Sequence, residues 1–375
     1  MLSQMIRWAI AQRWVVIAGA VAVTIWLGQL LSQMPLDVFP PFAPPQVEIQ
    51  TETPGLAPEE VESLVTLPIE SAVNGTPGIT AIRSTSGAGI SVVKVIFGWN
   101  TDIYRARQLV TERLQQAAEK LPDGVAAPHL SPISSPVGLV LQYALTSETS
   151  SLMEVRRLVD WQMTNRLLAV PGVSQVVAYG GDVPQYQVLA DPDKLRGLRV
   201  SLGDVTEAAA GANQNAAGGY VTEGDRELLV RGLGRLTSVA DLSESVVAAR
   251  SGVPVRLKDV AEVQLGAALK RGDGYLDGKP AVIVAINKQP DADTPTVSRA
   301  IETAMKELQK SFPSDLKMVV TFRQDAYIDN SIDNVRTALI EGSIIVALVL
   351  IPFLMNWRNL AVCLTALPLS LLLGV

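Results

Sequence analysis

The residues able to do chemistry are few and scattered. The one histidine, His129, stands between Pro128 and Pro132, and the one cysteine, Cys363, lies inside an apolar run. Copper(I) or silver suits thioether ligands and zinc suits His and carboxylate, so a metal site would announce itself as a cluster of Met, His and Cys. The chain has no such cluster. Met153 and Met163 share one amphipathic stretch and Met305 lies on another, the pattern of gap-filling core methionine, while Met34 and Met355 sit at the ends of apolar runs. With one His and dispersed acids, no Ser-His-Asp or paired-carboxylate arrangement stands at recognisable spacing. Gly278-Lys279-Pro280 lacks the first glycine and the hydroxyl of a phosphate cradle, and Gly87-x-Gly89 has no further glycine before a helix, so ATP hydrolysis is not expected. The chain reads as a non-enzyme. Its net charge of −6 and the lack of a basic stripe also argue against nucleic acid as a partner.

Four charged residues lie at or in the apolar runs instead. Glu341 is inside one, where an ionisable group is costly and usually functional, although its place near the outer end suits an interfacial or capping role. Asp37 follows the first run, Asp325 precedes the second next to Arg323, with which a local salt bridge is expected, and Arg358 sits between the second and third. Asp37, Asp325, Glu341 and Arg358 are therefore the membrane-proximal coupling candidates.

Those runs set the frame. Trp14 to Leu31 is almost uncharged, about three hundred residues of polar character follow, and Ala338 to Met355 and Leu360 to Val375 are separated only by Asn356-Trp357-Arg358-Asn359. This predicts a multi-pass membrane protein with a large domain on one side. The third run stops in mid-stream at Val375, as expected of the front part of a longer protein. Of the 31 Lys plus Arg, only Arg7, Arg13 and Arg358 lie outside the long gap, and of the 37 Asp plus Glu only Glu341 does. Short positive segments face the cytoplasm, which places the acidic domain outside. Trp8, Trp14 and Trp357 fit an aromatic belt on the inner side. Ser32-Gln33-Met34-Pro35 offers no small-x-small cleavage site, so the first run reads as a retained anchor rather than a signal peptide.

The large domain contains a repeat. Thr76-Pro77-Gly78-Ile79 has a counterpart in Val170-Pro171-Gly172-Val173, and each junction ends a helix and starts a strand. The preceding helices carry Val61, Leu64 and Val65 in one copy, and Leu152, Val155, Val159, Met163 and Leu167 behind the capping box Ser151-x-x-Glu154 in the other. Val47, Ile49 and Thr51 alternate with polar residues in a leading strand, as do Leu139, Leu141, Tyr143 and Leu145. After the first junction comes the strand Val92 to Phe97; Gln185 to Leu189 is read as its equivalent. A later helix carries Val110, Leu114, Ala117 and Leu121 and closes at Pro122, and its like is expected at Ile301 to Phe312, closing at Pro313 before a strand Lys317 to Phe322. Both units thus read strand-helix-strand, strand-helix-strand.

The spacing locates an insertion. The Pro-Gly junctions are about 94 positions apart and the closing prolines about 191, so roughly 97 extra residues interrupt the second copy between about Gly181 and Tyr275. This guest predicts a helix Leu202 to Gly211 started by Ser201-x-x-Asp204, strands near Glu227 to Arg231, Val253 to Leu257 and Ala261 to Leu265, and a protruding hairpin or arm over Asn213 to Gly224.

Pro35-Leu36-Asp37-Val38-Phe39-Pro40, Thr53-Pro54-Gly55 leading to Glu59-x-Val61-Glu62, Thr66-x-Pro68-Ile69-Glu70, Pro77-Gly78, Gln187-Val188-x-x-Asp191-Pro192, Val255-x-Leu257-x-Asp259-Val260-Ala261 and Asn356-Trp357-Arg358 together resemble the resistance-nodulation-cell division (RND) efflux transporters. Leu158-x-Asp160-Trp161 and the stretch Tyr327 to Val335 look most like the heavy-metal efflux branch. The resemblance implies an α+β membrane protein of transmembrane helices, two ferredoxin-like βαβ porter subdomains (36–134, then 135–180 with 276–331) and an inserted α+β docking subdomain (181–275), flanked by a cytoplasmic start with the first transmembrane helix (1–35), a second helix (332–356) and the start of a third (359–375). It further implies an inner-membrane homotrimer with its large domain in the periplasm, a periplasmic adaptor and an outer-membrane channel as partners, no cofactor, and a transported metal cation driven by the proton gradient through relay carboxylates beyond Val375. Asn213, Gln214, Asn215, Gly218 and Gly219 match the family's subunit-contact arm. An exporter of drugs or other hydrophobic small molecules, a protein-export accessory factor and a membrane-anchored sensor remain alternatives; the tight turn at Trp357-Arg358, which returns the chain to the membrane, disfavours the sensor.

Overall fold

The computed structural model describes residues 7–8, 11–33, 43–133, 137–214, 216–224, 226–232, 234–250, 252–270, 272–290 and 292–354. Asp37, Asn215, Arg358 and the third apolar run lie outside the described residues. The first run forms the helix Arg13–Gln33, which has no polar face. Among the described residues one helix is long and apolar enough to cross a bilayer, Asp325–Pro352, and Arg13–Leu27 is a shorter apolar helix.

Alternating apolar residues build two antiparallel four-stranded sheets. The first contains Gln46–Glu52, Ile79–Gly87, Ile90–Phe97 and His129–Leu130, ordered second-third-first-fourth. The other contains Leu139–Thr146, Val173–Tyr179, Val282–Lys288 and Lys317–Arg323, in the same order read from the opposite edge. Val47, Ile49, Val93, Val95 and Phe97 of the first sheet pack beneath Val65, Ile69 and Val73 of one helix and Ala106, Val110 and Leu114 of another. Leu141, Tyr143, Leu145, Val284 and Ile286 do the same beneath Val155, Val159, Met163 and Leu167, with Val297, Ile301 and Met305 alongside. Met163 and Met305 are thus core residues.

The first helix of each unit carries an irregularity that its apolar spacing demands. Val61, Val65, Ile69 and Val73 recur every fourth residue, as do Val155, Val159, Met163 and Leu167. A regular α-helix turns about 40° too far over each such step, so three steps would carry the last residue about 120° off the core. A single π-turn in each helix, Glu62–Thr66 and Val159–Met163, takes up the drift, with Leu67 N donating to Glu62 O and Thr164 N to Val159 O. All eight apolar side chains are then fully buried. Leu64, expected on the core face, is rotated outward and is 45% exposed.

Two further expectations are corrected. The equivalent of Val92 to Phe97 is not Gln185 to Leu189 but Val282–Lys288, which pairs with both Leu139–Thr146 and Val173–Tyr179. Gly180 and Gly181, with φ of +71° and +70°, turn the chain outward after Tyr179 instead of folding it back. Pro184–Ala190 pairs with Ala261–Ala267 in the insertion. The later helix of the second unit begins at Thr294 rather than near Ile301, because Asp293 accepts a hydrogen bond from Thr296 N at 2.9 Å and Pro295 fits the first turn. Asp102 caps Ile103–Ala118 in the matching place.

The inserted module has its own small core of Val200, Val205, Leu242, Val255, Leu257 and Val260. Its helix Leu202–Gly211 starts at a reciprocal box in which Asp204 N donates to Ser201 Oγ and Ser201 N to Asp204 Oδ2.

Candidate functional site

The sheet of the second unit runs directly into the long apolar helix, and the joint between them is held by charge. Strand Lys317–Arg323 is followed by Gln324, whose N–H donates to Val140 O at 2.9 Å and whose side-chain amide donates to Val137 O at 3.4 Å. This fixes the exit of the strand against the entry of its neighbour. Asp325 then opens the helix Asp325–Leu354, where a carboxylate complements the positive end of the helix dipole.

Arg323 connects three elements. Its Nε and one terminal nitrogen donate to the two oxygens of Asp325 at 3.0 and 2.8 Å, and the other terminal nitrogen reaches Glu302, on helix Thr294–Gln309, at 2.7 Å. A planar fork is the group suited to this, since a lysine could satisfy only one of these partners well. Asp325 is 2% exposed. Its hydrogen bond to Arg323, with the added charge of Glu302, holds the guanidinium pKa above the ordinary value. Tyr143, on the central strand beside this group, has its hydroxyl pushed up to about 12, first by burial and then by the negative charge of Glu302. The tyrosine is therefore neutral at physiological pH, and the net of the cluster is two carboxylates around one guanidinium.

The salt bridge expected for Arg323 and Asp325 is present, Glu302 joins it, and Tyr143 lies within reach of its charges. The sequence offered no signal for those two, because both reach the site through tertiary packing. Glu341 is exposed and lies sixteen residues further along the helix, about 24 Å away at the rise of an α-helix. The structure therefore separates Glu341 from Asp325.

The second set of candidates, Asn215 apart, forms the root of a hairpin. Among the described residues Ala216–Glu223 pairs only with Arg226–Gly232, extending the arm beyond the Asn213 to Gly224 expected. Asn213 Oδ1 accepts from Leu236 N at 3.0 Å, and Gln214 O lies so close to Gly234 that a Cβ there would sit 2.2 Å from it. The pairing register shifts between Ala217 and Tyr220, which makes Gly218-Gly219 a bulge, with Gly219 at φ +73°. Beyond it the ribbon displays Tyr220, Val221 and Leu228.

His129 is exposed, on the short edge strand opposite Gln50. Among the described residues no group of three or more His, Cys, Asp or Glu is arranged to hold a metal ion.

Comparison with known proteins places the chain. Residues 5–375 match the AcrB/AcrD/AcrF family. "Protein HelA" of Legionella pneumophila is 34% identical over 382 residues, covering 100% of this chain and 36% of that protein. "Cation efflux system protein CusA" of Escherichia coli (strain K12) is 36% identical over 377 residues, covering 99% of this chain and 36% of that protein. The fold superposes on the crystal structure of a heavy metal efflux pump with a TM-score of 0.89 at 31% identity, covering 98% of this chain and 37% of that one. The chain thus spans little more than a third of the length of these relatives. It belongs to the AcrB/AcrD/AcrF family, in the heavy-metal efflux branch of the RND transporters.

Proposed function

We propose that this chain is the amino-terminal portion of the inner-membrane subunit of a proton-driven tripartite pump that exports heavy-metal cations from the periplasm or inner membrane to the exterior. The observation that carries the reading is the continuity of a doubled α+β unit with a membrane-length helix through the Arg323–Asp325 joint. A unit so joined cannot tilt without loading the helix, and rigid movement of repeated units around a substrate route is a general transporter device.

In this reading residues 1–35, 332–356 and 359–375 supply the transmembrane helices, 36–134 and 135–180 with 276–331 are ferredoxin-like porter subdomains, and 181–275 docks the outer-membrane channel. The large domain stands in the periplasm. Proton entry through later helices moves the porter subdomains by way of Asp325, while Asp37, Glu341 and Arg358 anchor the membrane boundary. The hairpin, with the arm residues Asn213, Gln214, Gly218 and Gly219 at its root and Asn215 assigned to the same arm from the sequence, reaches a neighbouring protomer of a homotrimer; its two edges, unpaired among the described residues, and exposed Tyr220, Val221 and Leu228 are surfaces that a second chain would cover. A periplasmic adaptor completes the assembly. No bond is made or broken in the cargo, so the chain is a transporter and not an enzyme, and it needs no cofactor.

The test deletes and restores the full-length gene and measures growth against copper, silver, zinc, cobalt, nickel and cadmium salts and a set of hydrophobic drugs. Deletion should sensitise cells to one or more metals and not to the drugs, and an uncoupler should stop metal efflux from loaded cells. Drug sensitivity alone would replace the metal reading with the drug-exporter one.

A further inference from the structure

The two units differ at one matched place, and it is where the module joins. In the first unit Thr66, at the end of the π-turn, shares a 2.8 Å hydrogen bond with Ser86, near the end of the unit's second strand. The residues matched to these in the second unit are Asp160 and Gly180, which cannot repeat that bond. Arg156, matched to Glu62, makes the tie instead. Its Nε donates to both oxygens of Asp160 at 2.9 Å, and a terminal nitrogen donates to Gly180 O at 2.7 Å. Its side chain is only 16% exposed.

Gly180 is where the chain leaves for the module, and Gly274 is where it returns. A Cβ on Gly180 would lie 2.4 Å from Gly274 N and 2.7 Å from Ala281 O, and one on Gly181 would lie 2.8 Å from Val282 Cγ2 and 3.1 Å from Arg156 Cβ. The two chains of the neck therefore touch through backbone, with no side chain between them to yield. One step further out, Lys270 on the returning chain pairs with Asp182 on the outgoing chain at 2.9 Å and with Asp273 at 3.2 Å. The neck is thus a stiff two-chain pivot, and Arg156 is the side chain of the π-turned helix that holds it.

We infer that Arg156 is a positioning residue that transmits movement of the helix Leu152–Leu168 to the inserted module, so that the module tilts with the second unit as one body. The guanidinium suits this because its fork takes the in-helix carboxylate and the neck carbonyl together. The consequence for channel docking rests on the reading of the module given above; the tilt itself does not.

The test uses the full-length protein with Cys363 and any further cysteine beyond Val375 replaced by serine, spin labels at Gln162→Cys on the helix and Glu207→Cys on the module, and pulsed electron resonance to read the intraprotomer distance distribution. Arg156→Ala should at least double its width. Asp160→Ala removes the in-helix pair but keeps the Arg156 donor to Gly180 O, and should retain the parent width. A wild-type width in Arg156→Ala overturns the inference, and so does a width in Asp160→Ala as broad as that of Arg156→Ala, which would reduce Arg156 to a helix-stabilising residue. Broad distributions with undiminished metal efflux would uphold the coupling and count against the docking role of the module.

Discussion

Replacing Arg323 by alanine should loosen the joint between sheet and helix without unfolding either. The substitution leaves Asp325, 2% exposed, without a counter-charge, and leaves Glu302 facing it across the vacated space. Removing one partner of a fully buried ion pair costs about 3–5 kcal/mol. The Arg323 side chain is 39% exposed, so water can enter and screen the two carboxylates, which lowers the expectation to about 2 kcal/mol. That corresponds to an opening equilibrium raised about 30-fold. Hydrogen exchange followed by mass spectrometry on the full-length protein reads this directly, because the amides of Gln324 and Tyr327 are bonded across the joint, to Val140 O and Gln324 O. Peptides spanning 317–330 should exchange about 30-fold faster, while peptides from 46–97 keep their rates. Arg323→Lys, which keeps the charge and loses the fork, should fall between. Exchange in Arg323→Ala within threefold of the parent, or an equal acceleration in both units, would refute the assignment of the joint to this guanidinium.

The duplicated Pro-Gly turns give an internal control: Gly78 and Gly172 both have left-handed backbone, but a Cβ at Gly172 would lie 2.6 Å from Val297 Cγ2 whereas one at Gly78 meets nothing nearer than 3.5 Å. Gly172→Ala should therefore destabilise by about 1–3 kcal/mol more than Gly78→Ala, as read by denaturant midpoints, since overpacking adds to the shared backbone strain. Asp315 accepts hydrogen bonds from the hydroxyls of Ser147 and Thr149, which bring its pKa down to about 2. A folded-state value below that of the unfolded chain means that its contribution is complete above about pH 4 and is lost as the pH falls through about 2. The difference in melting midpoint between the parent and Asp315→Asn should accordingly be constant above about pH 5 and vanish near pH 2.

The sequence showed most where periodicity and local chemistry speak together. The helix Leu202–Gly211 was legible from Ser201 and Asp204 because a capping box is a contact between near neighbours. The strand Val282–Lys288 was not, since its apolar run lacks alternation: it is central in its sheet, with Val282, Val284, Ala285 and Ile286 buried across both faces. Leu64 was misplaced because a helical wheel assumes one period, and the π-turn changes it midway. Within the joint, Arg323 and Asp325 are two residues apart and could be paired by inspection. Glu302 comes from a helix and Tyr143 from a strand far away in sequence, so only the packed structure brings them in.

The paired π-turns also date the events that made this chain. Each copy has one widened turn within an apolar helical stretch of the same length before its Pro-Gly junction, set three residues later in the second copy, whereas only that second copy holds the guest module. The extra helical residue was therefore already present in an ancestral single unit. Duplication copied it, and the module entered one descendant afterwards, at a strand end where the sister copy still carries Ser86 in place of a glycine.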